Sequence, residues 1–98
     1  MKIIWSPLTI DRAAEIAEYI SLDNPTAANK WIEKIFEKVK VQSTTPEVGR
    51  KVPEINRKEI RELIFGNYRI IYRLEKSIIS ILTICHGKQI LSVDEIMA

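Results

Sequence analysis

The only histidine of this chain, His86, closes a stretch that holds five of its six arginines: Arg50, Arg57, Arg61, Arg69 and Arg73. Imidazole titrates near neutrality and can give or take a proton, whereas guanidinium groups hold phosphates or carboxylates through planar, paired hydrogen bonds. Cleavage of RNA by its own 2′-hydroxyl needs a base, an acid for the leaving oxygen and cations for the charge developing on phosphorus. His86 could supply the acid or the base, and Arg61, Arg69, Arg73 or Lys88 the cation. The same cations would serve equally to receive an acidic protein segment. Arginines alternating along strands also commonly form a solvated sheet face paired with acids such as Glu59, Glu62 and Glu75. All three uses remain open at the level of residue type.

The positive charge is concentrated rather than abundant. The 98 residues carry a net charge of +2, yet residues 50–73 hold seven basic against three acidic side chains, a local +4. The pI of 8.8 is lower than is usual for a dedicated nucleic-acid domain. Cys85 is the single cysteine, set in an apolar run, so it reads as a buried strand position and excludes a disulfide framework or a cysteine-rich metal site. Without a Gly-rich phosphate loop or metal-ligand spacing, neither a cofactor nor a metal is expected. The length suits one domain over residues 1–98, and no apolar window suggests a signal peptide or a membrane span, so a cytoplasmic protein is expected.

The elements that would position these residues follow from periodicity. Lys2 to Trp5 reads as a strand ended by Pro7. Ser6 can cap a helix over residues 8–21, in which Ala13, Ile16, Ala17 and Ile20 recur at helical spacing. Asn24-Pro25 repeats the device and opens a second helix to about residue 42, on Ala28, Trp31, Ile32, Ile35 and Val39. The short turn between them makes an antiparallel hairpin. The period then changes: residues 59–65, 68–74 and 78–85 read as three strands joined by short turns, with a brief strand or extended arm over Val48 to Val52. In the middle strand Arg69, Ile71 and Arg73 share one side, and Tyr68, Ile70 and Tyr72 the other. That alternation predicts helices on one face of the sheet and an open cationic face opposite. Trp5 and Trp31, each in an apolar periodic setting, are expected in the core.

Several motifs, in order along the chain, add a resemblance. These are Trp5-Ser6-Pro7, Asn24-Pro25-Thr26-Ala27-Ala28, Pro46-Glu47-Val48-Gly49-Arg50, Ile60-Arg61-Glu62-Leu63, Tyr68 to Arg73, and Ile84-Cys85-His86-Gly87-Lys88. Together they resemble the RelE/ParE superfamily of toxins from type II toxin–antitoxin modules. The resemblance implies an α+β domain in the order β-α-α-β-β-β, a helical hairpin on a curved antiparallel sheet. It also implies a growth-inhibiting toxin neutralised by a cognate antitoxin, with Arg50, Arg61, Arg69, Arg73 and Lys88 as residues that bind the target or the antitoxin.

RelE-like members cleave mRNA on the ribosome, and ParE-like members inhibit DNA gyrase. RelE-like nucleases end the last strand in a basic residue, then a catalytic Arg, with a Tyr further on. Here Gly87 follows His86, and residues 88–98 contain no Tyr. His86-Gly87-Lys88 and Gly49-Arg50 are instead similar to the ParE-like pattern, which favours gyrase as target. The alternative is an mRNA endonuclease using His86, Arg61 and Arg73, since some nucleases of the superfamily use a histidine. A non-toxic remnant that only binds its antitoxin is the third reading.

Overall fold

The structure, a computed structural model, describes residues 2–90. A first strand, β1 (Lys2–Trp5), leads into helices α1 (Pro7–Ser21) and α2 (Pro25–Gln42). A 3-10 turn over Pro46–Val48 and a two-residue strand, β2 (Arg50–Lys51), form the arm, and β3 (Ile60–Phe65), β4 (Tyr68–Glu75) and β5 (Ile78–His86) complete the sheet. Both helices begin as their sequences require: the Ser6 Oγ accepts from the Thr9 N–H at 3.0 Å and the Asn24 Oδ1 from the Ala27 N–H at 3.1 Å, each with proline next in the chain. Proline there sacrifices no helical hydrogen bond, because its amide would have had no partner.

The five strands lie in the order β1-β5-β4-β3-β2. β1 runs parallel to β5, while every other pair is antiparallel, so the sheet is mixed rather than purely antiparallel. The Ser6 hydroxyl that caps α1 also donates to the Leu82 carbonyl at 2.9 Å, and the Thr9 hydroxyl reaches the Ile81 carbonyl at 3.3 Å. One cap residue thus starts a helix and fixes that helix to the sheet.

Leu82 is the extra residue of a β-bulge, since Ile71 lies opposite Thr83 and Tyr72 opposite Ile81. An extra residue reverses the alternation beyond it. Ile79, Ile81 and Ile84 therefore all reach the core beneath the helices, with Ile35, Val39, Ile70 and Tyr72. Strict alternation would have sent Ile84 to the other face. Trp5 and Trp31 pack against the same core, as expected.

The opposite face is not open, contrary to the sequence expectation. Residues 52–59 cross it, and Val52, Ile60, Ile71 and Cys85 form a second buried cluster with Ile55 and Leu82 against it. Burying that apolar surface is favourable at roughly 25 cal/mol per Å². An open cationic face would have left it wet.

The arm is fitted closely to β4. The Tyr72 hydroxyl donates to the Pro46 carbonyl at 2.7 Å and accepts from the Gln42 amide at 3.3 Å. Gly49 lies so near that an added Cβ would stand 1.9 Å from that hydroxyl. Gly49→Ala is expected to lose about 1–3 kcal/mol in urea unfolding, the range for overpacking, and a further Tyr72→Phe change, which deletes the blocking oxygen, should return part of the loss. Burial raises the Tyr72 pKa above the usual phenol value of 10.0. The folded state therefore keeps the proton that the unfolded chain releases, so stability is full below pH 10 and falls as pH rises beyond it. The alkaline slope of unfolding free energy should be shallower in Tyr72→Phe.

Candidate functional site

The arginines meet carboxylates before they meet solvent. Glu62, fully buried on β3, accepts from the Arg50 Nε through Oε1 and from the Arg69 Nε through Oε2, the latter at 2.6 Å. Arg69 turns the rest of its guanidinium on Glu54 of the crossing segment, in a two-pronged contact of 2.7 and 2.9 Å, and on the Gln89 carbonyl at 3.1 Å. Hydrogen bonding to Glu54 first, and then to Glu62, drives the Arg69 pKa above its ordinary value against the opposing effect of burial. Planar paired contacts of this kind are the strong form of the ion pair. Arg69, only 5% exposed, is accordingly a cross-link between β4, β3 and the crossing segment.

Arg61 is likewise engaged. Its Nε donates to the Lys58 carbonyl at 2.7 Å, and its Nη1 to the carbonyls of Gly49 at 3.0 Å and Glu47 at 3.5 Å, which ties the arm to β3. Arg57 pairs with Glu59. The Glu59 carboxyl is held below the usual range by a backbone hydrogen bond first and, against some desolvation, by Arg57 and Arg73. Arg73 is half-buried on β4, level with Ile60 and Ser80.

The end of β5 divides the remaining residues between two clefts. On one side Arg50, Pro53, Glu54, Arg69, Gly87 and Lys88 line an open cleft of about 440 Å³. Arg50, with its side chain 64% exposed, and the exposed Lys88 present their charge at its mouth. On the other side His86 lies in a cleft of about 310 Å³ with Arg12, Glu15 and Tyr68. Three of the sequence-predicted binding residues, Arg50, Arg69 and Lys88, are therefore brought together. Arg61 and Arg73 line neither cleft, so the set His86, Arg61 and Arg73 is not assembled in one place.

A family model describing the ParE toxin of the type II toxin-antitoxin system parDE matches residues 3–91. The chain belongs to that family. Its fold is also similar to a solved chain of the chromosomal ParDE TA system from P. aeruginosa, with a TM-score of 0.74 at 23% identity, covering 90% of this chain and 97% of that one. No curated protein sequence matches.

Within this ParE-family toxin, sequence reading overlooked two contributors to the site. Arg12, on α1, is half-buried, and its Nη1 donates to the Thr83 hydroxyl at 2.8 Å. Glu54 was not singled out, although a lone Arg within Tyr68-Arg69-Ile70-Ile71-Tyr72 signals a buried cation that must find an acid. Among the described residues no His, Cys, Asp and Glu cluster could hold a metal ion, and no helix is long and apolar enough to cross a membrane. The ParE-family sheet depends on Glu62. Glu62→Leu should lose about 3–5 kcal/mol in urea unfolding because it strands buried Arg69, whereas Glu59→Gln at the exposed Arg57 pair should leave the urea midpoint nearly unchanged.

Proposed function

We propose that this chain is a growth-inhibiting toxin that acts on DNA gyrase in the cytoplasm and is neutralised by a cognate antitoxin. The observation that carries the reading is where the arginines are engaged. A nuclease built on His86 would need cations free to meet the scissile phosphate in its transition state. Arg61 holds backbone carbonyls, Arg69 holds two carboxylates, and neither lines the His86 cleft, whose one arginine, Arg12, is engaged by the Thr83 hydroxyl. The absent Arg at position 87 and the absence of Tyr from residues 88–98 support the same reading. Membership of the ParE family supports it further.

On this reading the outward cations are Arg50 and Lys88, at the mouth of the 440 Å³ cleft. They carry the binding role expected of them, while Arg69 positions the cleft from beneath. Arg73 and Arg61 contribute through the sheet and the arm. The binding is of a protein surface rather than a reacting bond, so no catalytic residue is assigned. The mRNA endonuclease reading would require His86 to act with other partners.

Purified toxin incubated with gyrase and plasmid DNA is expected to inhibit supercoiling and accumulate cleaved DNA. Arg50→Ala with Lys88→Ala should weaken that inhibition by about tenfold to a hundredfold, the scale of two charged contacts. Ribosome-dependent mRNA cuts with gyrase untouched would overturn the reading.

A further inference from the structure

The two edges of the sheet differ in character. At one edge β2 consists of the exposed Arg50 and Lys51. At the other, β1 is Lys2-Ile3-Ile4-Trp5, with no charge after its first residue. Charged residues and prolines within an edge strand discourage pairing with another chain. Between Lys2 and Pro7 there are none.

The ladder to β5 decides which backbone groups of β1 are spare. The Lys2 N–H donates to the Ser77 carbonyl and the Ser6 N–H to the Ile81 carbonyl, each at 3.0 Å. Backbone groups alternate in direction along a strand, so Lys2, Ile4 and Ser6 serve β5, while the N–H and C=O of Ile3 and of Trp5 point away from it. Among the described residues no strand lies on that side. Side chains alternate as well. Ile3 and Trp5 pack against the core beneath the helices, and Ile4, 42% exposed, stands on the other face. Beside Trp5, the exposed Phe36 meets it edge to face at 4.8 Å and, with exposed Ile10, borders a groove of about 180 Å³. That is below the range of ligand sites, and the one polar side chain in its lining, Thr9, already donates to the Ile81 carbonyl. The groove suits an apolar side chain.

We infer that β1 pairs with β1 of a second copy of this chain, antiparallel about a two-fold axis at Ile4. The register follows from the spare groups. In an antiparallel ladder, opposed residues exchange both of their hydrogen bonds at alternate positions. Setting Ile3 of each copy opposite Trp5 of the other satisfies every spare N–H and C=O of the two residues. Ile4 then faces Ile4 of the other copy in the position where side chains approach most closely, and two exposed isoleucines cover each other. A patch that complements itself is what a two-fold interface requires. No like charges meet at its centre, and a nucleic acid would find no cation there beyond Lys2. A stable interface buries about 800 Å² on each side, more than one short strand pair supplies, and Ile10 and Phe36 at the groove extend the apolar contact. Arg50 lies on the opposite edge, so pairing through β1 leaves it outward in both copies. The inference is therefore independent of the gyrase reading.

Sedimentation equilibrium of the purified full chain without antitoxin is expected to give twice the 11.3 kDa of one copy. Amide exchange at Ile3 and Trp5 should be protected in that species. Ile4→Glu and Ile4→Lys each set like charges opposite one another, and each should raise the dissociation constant by about tenfold or more. An equal mixture of the two variants should restore the dimer, which misfolded chains could not do. Leu22→Asp, at a residue 78% exposed in the turn between the helices, should dimerise as wild type does. A wild-type chain that stays monomeric at every concentration would overturn the inference, as would wild-type dimerisation by Ile4→Glu. So would a mixture that stays monomeric while both variants keep the wild-type unfolding temperature. Protection of Ile3 and Trp5 only on adding the antitoxin would also overturn it, and would assign this edge to the antitoxin.

Discussion

A single carboxylate without access to water organises half of this molecule. Glu62 serves two arginines, and a buried charged group is tolerated only when its hydrogen-bonding capacity is met. Arg50 meets one oxygen from the arm and Arg69 the other from the neighbouring strand. Arg69 then has a surplus of donors, which draws Glu54 and the Gln89 carbonyl inward. The arm, the crossing segment and the end of β5 are thus gathered about one charge. The site's geometry follows from that neutralisation more than from any loop preference.

The two sides of the sheet are held by different physics. Beneath the helices, branched aliphatic side chains close a dry layer, and the Leu82 bulge keeps β5 facing it along its whole length. On the other side a small apolar cluster is roofed by residues 52–59, and ion pairs pin the roof. The roof explains why so arginine-rich a sheet exposes so little positive charge. What remains outward includes Arg50 of the arm, Arg57 and Lys58 of the roof and Lys88 after β5.

Much of the fold was legible because local rules were obeyed. Ser6-Pro7 and Asn24-Pro25 announce helix starts, and the change of period after Pro46 marks the strands within a residue or two. Pairing was less legible. Nothing local in Leu82 announces a bulge, because a bulge is settled by what the neighbouring strand requires. The crossing segment shows only Val52 and Ile55 among polar residues, and their burial depends on a cluster assembled from β3, β4 and β5. Arginine on a strand reads alike whether it faces water or a buried acid, so Arg69 and Arg50 were indistinguishable until Glu62 and Glu54 were placed. Arg12 went unnoticed for the converse reason, since its partner Thr83 lies on a strand far away in sequence.

The parallel pairing of β1 with β5 governs when the protein can exist. The cap of α1 at Ser6 bonds to Leu82, 76 positions along the chain, and among the described residues β1 pairs with no strand other than β5. A chain leaving the ribosome can form its two helices early, but their apolar faces then have no sheet to cover. Closure waits until β5 has emerged, and contacts so distant in sequence form slowly. For a member of a toxin family, this ordering delays the folded surface until β5 has been made. A truncated chain lacking β5 would have neither the edge that holds β1 nor the strand end that carries His86 and leads to Lys88.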